Sequence, residues 1–198
     1  GHDPVKESRE VQPPDRMEEA LEATGVDGAG SEPGAAEAAL AAVLDAIDPR
    51  TRGTALHEAL AFADLHDWAV TRHRAERLFT EWGLSALHDD LLRDLETAFQ
   101  SELLERARAS GQVERELPLV VIEADRIAEG YVDLAFREDG GWVLVDYKSD
   151  RDPSAETLAG YAAQMQEYVR MFRATGETVS ETYLLLTRTG ASVPVTLD

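Results

Sequence analysis

The chain has no cysteine. That absence removes disulfides, thiolate-bound zinc, iron–sulfur clusters and cysteine nucleophiles together, so any metal here must be held by oxygen or imidazole. Lysine is almost missing as well, with 2 lysines against 17 arginines. No stretch approaches the roughly 18 unbroken apolar residues that a membrane span needs, and the opening GHDPVKESRE lacks the apolar core of a secretory signal. These absences set the expectation of a cytoplasmic protein with no membrane partner.

Positive charge is scarce overall. The formal net charge is −20, and residues 51–198 alone carry 27 acidic against 15 basic side chains. A broad electrostatic grip on nucleic acid normally draws on a basic surface, so composition by itself counts against one. A length of 198 residues with 43% hydrophobic and 29% charged residues fits one globular domain with a sizeable core.

Residues 1–34 hold Pro13, Pro14, Gly25, Gly28, Gly30, Pro33 and Gly34 among scattered acids, with room for only one short helix near 15–23. They read as a flexible acidic linker. Residues 35–198 form the expected domain. Alanine and leucine spacing predicts a helix over 35–47, stopped at Asp48-Pro49. A second helix begins near Thr51 and includes GTALHEALAFADLH, and two more are predicted over 69–81 and 84–109. The longer one carries Leu87, Leu91, Leu95, Phe99, Leu103 and Leu104 on one face. The second half changes period: β-rich runs fill 112–124, 126–138 and 141–149, a helix follows over 154–174, and strands close the chain at 182–187 and 193–197. The expected fold is α/β, with a helical N-terminal half and a mixed central sheet flanked by helices.

Glu138-Asp139-Gly140-Gly141 carries the signal of a tight hairpin. With Asp139 and Gly140 as the two turn residues, Asp133 falls directly opposite Asp146, their Cβ atoms about 5 Å apart. Alternation puts Lys148 on the face of Asp146 and sends Val132, Leu134, Phe136, Val143 and Val145 to the other face as core. Opposed like charges destabilise a sheet, and a divalent cation between carboxylates resolves the conflict. Phosphodiester hydrolysis needs those parts: a cation that polarises the phosphoryl oxygen and activates water, and a compact positive group nearby. Lys148 is one of only two lysines.

GTALHE (53–58), GYVD (130–133), DYKSD (146–150) and YAAQMQEY (161–168) resemble, in order, the motifs of the RecB-like family of PD-(D/E)XK nucleases, over roughly residues 50–190. The resemblance implies a restriction-endonuclease-like core and a Mg²⁺- or Mn²⁺-dependent deoxyribonuclease. It implies a metal held by His57, Asp133, Asp146 and the backbone carbonyl of Tyr147, with Lys148 assisting the attacking water. Gln164 and Tyr168 would touch DNA, and Glu116 matches a glutamate that often precedes the first core strand. Ser149 stands where the family usually has threonine. Relatives with a four-cysteine iron–sulfur staple have no counterpart here. Cluster-free relatives are typically domains of helicase-nucleases that process DNA ends, so the implied partners are DNA and a helicase domain or subunit.

Blander readings stand beside these. A lone helix histidine is usually structural, and His57 gains weight only with Gly53 one turn earlier and the hairpin acids. Aspartate is depleted in strands, which sets Asp133 and Asp146 apart from ordinary surface acids. Gln164 and Tyr168, four residues apart on one helix face, also suit plain packing, and Glu116 suits a surface strand acid. Two rivals to the nuclease domain remain open: a catalytically silent module of the same fold that senses DNA ends or docks in a helicase complex, and a standalone endonuclease for RNA or branched DNA.

Overall fold

The computed structural model describes residues 49–122 and 127–197. The linker expected over 1–34 and the helix expected over 35–47 lie outside those residues. No helix among the described residues is long and apolar enough to cross a membrane.

Four helices come first: α1 (Pro49–Ala61), α2 (Trp68–Glu81), α3 (His88–Phe99, after a short 3₁₀ turn at Ser85–Leu87) and α4 (Glu102–Ala109). Asp67 caps α2 by accepting the Val70 N–H at 3.1 Å. Two expectations are corrected here. The helix begun near Thr51 stops at Ala61, and residues through His66 turn instead. The single helix expected over 84–109 is two, because Ser101 is extended (φ −64, ψ 152) and its Oγ accepts the Leu104 N–H. A serine that caps a new helix competes with continuing the old one. The leucine face survives the break, since Leu91, Leu95, Phe99, Leu103 and Leu104 are all buried.

Strands β1 (Val113–Ile122), β2 (Ile127–Glu138) and β3 (Gly141–Lys148) form an antiparallel meander. Helix α5 (Ala155–Ala174) then crosses over to β4 (Val179–Leu186), which lies parallel to β3, and β5 (Ala191–Pro194) closes the edge. A parallel pair needs such a crossover, whereas a hairpin does not. The sheet separates two cores. On one side α1–α4 pack against Leu134, Phe136, Val143, Val145, Tyr147 and Leu185. On the other, Met165, Val169 and Phe172 of α5 meet Val132, Ala135, Trp142, Leu144 and Leu184.

The placement of Val132 corrects the expectation that it shares a face with Leu134 and Phe136. Register between β1 and β2 is unbroken from Arg115↔Leu134 to Leu117↔Val132, yet the intervening Glu116 and Asp133 do not pair. Glu116 is the one non-glycine residue with positive φ (49) among the described residues. That left-handed step rotates both strands, so Leu134 faces the helical half while Val132 and Leu117 face α5. Asp133 lies at the switch.

The β2–β3 turn is as short as expected, with Glu138 opposite Gly141. Its positive φ falls on Gly141 (132), where a Cβ would sit 2.6 Å from the Thr178 carbonyl oxygen. Gly141→Ala should therefore destabilise the protein by about 1–3 kcal/mol. Gly140→Ala, whose Cβ would make ordinary contact with Ser180, should cost far less, and urea denaturation of the two variants checks the difference.

Candidate active site

The β2–β3 ladder ends at Leu134↔Val145, and the next step in register belongs to Asp133 and Asp146. Both aspartates are buried, at 7% and 5% exposure, a condition carboxylates rarely tolerate without a specific partner. Asp133 replaces the missing ladder bond with its own side chain: Oδ2 accepts the Tyr147 N–H at 2.5 Å. Its other oxygen lies 3.5 Å from His57 Nδ1. His57 projects from α1 and meets the Tyr147 ring edge-on, at 5.7 Å between centroids.

Asp146 and Lys148 share the α5 side of the sheet, as alternation requires. Lys148 Nζ is 2.6 Å from Asp146 Oδ2 and donates to Gln164 Oε1 at 3.2 Å. Gln164 Nε2 in turn donates to the Tyr168 hydroxyl at 2.7 Å. The structure thus joins Lys148, Gln164 and Tyr168 into one polar chain. Gly130 makes room for it, because a Cβ there would lie 2.7 Å from Tyr168 Cε1.

One residue of this cluster was missed by sequence reasoning. Tyr161 lies with its ring under Lys148 Nζ, 4.4 Å from the centroid, and donates its hydroxyl to Asp150 at 2.8 Å. Its position one turn before Gln164 on the same helix was the available signal. Glu116 is exposed as a residue, yet it lies within electrostatic reach of both Asp133 and His57.

Electrostatics bind these groups into one set. Burial and the neighbouring Asp133 charge push the Asp146 carboxyl above the usual carboxylate range, against the opposing pull of Lys148 and His57. Partial desolvation and the same Asp133 charge raise Glu116. Burial pulls His57 down, but the Asp133 contact and the charges of Asp133 and Asp146 outweigh it, leaving the imidazole above its ordinary value. The Tyr161 hydroxyl, desolvated and bonded to Asp150, is pushed up to about 12.

The donor chemistry fits a hard divalent cation: two carboxylates, one imidazole and the Tyr147 carbonyl near the end of one strand pair. Asp146 Oδ2 is buried without a hydrogen bond of good geometry, despite its short ion pair with Lys148, so it retains lone pairs for a metal. Among the described residues, no three His, Asp or Glu side chains already converge as a closed cage.

The family model of the PD-(D/E)XK nuclease superfamily matches residues 33–195. The chain is similar to an ATP-dependent helicase/nuclease subunit of Alkaliphilus oremlandii, at 28% identity over 158 residues, covering 68% of this chain and 13% of that protein. The same-named protein of Clostridium acetobutylicum is 27% identical over 176 residues, covering 75% and 14%. That of Heliobacterium modesticaldum is 34% identical over 134 residues, covering 59% and 10%. The chain therefore spans no more than about one seventh of the length of these relatives.

Asp146 is raised because its folded surroundings disfavour the charge, so its ionised form costs stability at neutral pH. In chelator at pH 7, Asp146→Asn, which removes that charge, should raise the thermal midpoint, and thermal denaturation of the two proteins checks the direction. A clear fall would mean that the Lys148 ion pair outweighs repulsion from Asp133.

Proposed function

The chain belongs to the PD-(D/E)XK nuclease superfamily, in its RecB-like branch, and on that premise we propose that it is a Mg²⁺- or Mn²⁺-dependent deoxyribonuclease domain that hydrolyses DNA phosphodiesters. The observation that carries this reading is the pair of buried acids at the end of the β2–β3 ladder, with Lys148 Nζ 2.6 Å from Asp146. Burial of two like charges side by side costs several kcal/mol without compensation, and one lysine compensates only one of them.

His57, Asp133, Asp146 and the carbonyl of Tyr147 would hold the metal. A bound divalent ion supplies Lewis acidity to the phosphoryl oxygen and a lowered pKa for the attacking water. Asp133 fixes the geometry of the whole group, because one oxygen is tied to the β3 backbone while the other faces His57. Lys148 is held by Asp146, Gln164 and the Tyr161 ring. An ammonium restrained in this way presents positive charge to the developing phosphorane without first reorganising. Gln164 and Tyr168 continue that surface and would contact the DNA strand, while Glu116 adds negative charge beside Asp133.

The names of the relatives and their much greater length support a helicase, on the same chain or a separate one, as the partner; that it delivers DNA ends, in recombinational repair in the cytoplasm, belongs to the same proposal. A second reading, a catalytically silent module that senses DNA ends or docks in a helicase complex, is favoured by the net charge of −20 and the unclosed metal cage. The largely buried lysine beside Asp146 favours catalysis, since docking gives no reason to bury it.

Cleavage of end-labelled single- and double-stranded DNA in Mg²⁺ or Mn²⁺ separates the two. The parent protein should cut, and Asp133→Asn, which keeps an oxygen for the Tyr147 N–H, and Lys148→Ala should each lose at least about 100-fold in rate with an unchanged circular dichroism spectrum. A folded Lys148→Ala variant that cuts at the parental rate would remove Lys148 from the mechanism. A parent that cuts nothing would leave the silent reading.

A further inference from the structure

In a chain with twice as many acids as bases, one cluster runs the other way. Asp94 of α3 is buried at 4% exposure and accepts Arg52 Nη2 of α1 at 2.5 Å. Arg188, in the β4–β5 turn, reaches the same Asp94 oxygen only at 3.6 Å. Two guanidinium groups thus share one carboxylate. Arg52 Nε is buried with no hydrogen-bond partner, and Arg188 Nε, the atom that reaches Asp94, is too far from it for a hydrogen bond, although each guanidinium carries five donors. Asp90, the other acid whose charge Arg188 feels, is already paired with Arg93 at 2.6 Å. Burial and the Arg52 charge lower Arg188 from its ordinary value, and Arg151 adds to that against the pull of Asp94 and Asp90.

This excess is not the habit of the molecule. Arg72, Arg77, Arg106 and Arg137 each meet glutamates one to one or better. Ion pairing alone explains Arg52, which ties α1 to α3. It does not explain a second arginine on the same carboxylate, with the charge of Arg151 felt by that second one.

Their position does. Gly53, beside Arg52, packs so closely on Ser149 that a Cβ would lie 2.9 Å from its Oγ. Thr187, beside Arg188, donates its N–H to the Lys148 carbonyl at 2.9 Å. Arg151 follows Asp150, which Tyr161 anchors. All three arginines flank the segment that leaves Lys148 at the carboxyl ends of the parallel pair β3 and β4, where α/β sheets bind ligands. Arg52 and Arg188 are partly exposed, at 15% and 25% of their side chains, and Arg151 is exposed.

We propose that Arg52, Arg151 and Arg188 form a backbone grip, a subsite that takes a non-scissile phosphate of a DNA strand next to the hydrolytic centre. The proposal rests on the nuclease reading for the identity of the strand. Guanidinium forks match phosphate oxygens two at a time, and a local grip of this kind lets an otherwise acidic domain hold an anionic polymer. Asp94 orients Arg52 at 2.5 Å and holds Arg188 only loosely at 3.6 Å, so that Arg188 would turn to the ligand together with Arg151.

The test measures binding of a fluorescein-labelled 12-mer of deoxythymidine in chelator, by anisotropy over a range of KCl, so that it is independent of cleavage. Arg188→Gln and Arg151→Gln should each weaken binding roughly tenfold and reduce the slope of log K against log salt by about 0.7. Arg77→Gln, on α2 and paired with Glu81, should change neither. Thermal denaturation checks folding, and Arg151→Gln at an exposed site keeps the test available where Arg188→Gln is unstable. Folded Arg151 and Arg188 variants that bind with the parental affinity and salt slope overturn the grip, as does a parent that does not bind the oligonucleotide. Cleavage in Mn²⁺ is scored separately. Arginine-dependent binding without parental cleavage refutes the nuclease reading alone, and parental cleavage with arginine-independent binding refutes the grip alone.

Discussion

The bond from the Tyr147 N–H to the Asp133 carboxylate holds the centre of this molecule together. Where the β2–β3 ladder runs out, a side chain takes over the role of a backbone acceptor. A buried N–H is thereby satisfied, and a buried negative charge receives a donor. The same bond fixes the rotamer of Asp133, so its free oxygen faces His57 on α1. Asp146 is left buried beside a like charge; burial first, and that charge second, raise its carboxyl, and Lys148 Nζ lies against it at 2.6 Å. Gln164, Tyr168 and Tyr161 then settle around Lys148.

That arrangement depends on a local fault in the sheet. Glu116 adopts a left-handed backbone, and with Asp133 opposite it the ladder loses one pair without losing register. The neighbouring side chains exchange faces across the fault, which is how Val132 and Leu134 come to serve different cores. A regular sheet would send Asp133 wholly toward one layer. The fault leaves it at the seam, within reach of a helix from one layer and a strand contact in the plane. Backbone strain of this kind persists only where surrounding packing over-determines it, and here both cores do so.

The two charged clusters follow opposite logic around the same strand ends. At Asp133 and Asp146, acids are packed together with too few cations. At Arg52 and Arg188, bases are packed together with too few acids. Each is costly alone, since desolvated like charges repel. In the proposed phosphodiester chemistry a cation would complete the first, and an anionic strand would complete the second.

Much of this was legible in the residues because it is local. A two-residue turn at Asp139-Gly140 sets which residues of its own hairpin face one another, so the register out to Leu134 and Val145 and the shared side of Asp146 and Lys148 follow from counting. Periodicity likewise located α2, the strands and α5 within a few residues. It failed at Ser101, where a capping hydroxyl outcompetes a leucine stripe that continues unbroken across it. It failed again at Val132, because alternation assumes a regular strand and one left-handed residue on the neighbouring strand cancels it. Contacts between distant segments were not written in any local pattern. The approach of His57 to Asp133, of Tyr161 to Lys148 and of Arg188 to Arg52 is decided by how α1, α5 and the β4–β5 turn pack against the sheet. Turn chemistry fixes geometry over a few bonds, whereas the meeting of groups a hundred residues apart is set by which apolar faces bury against one another.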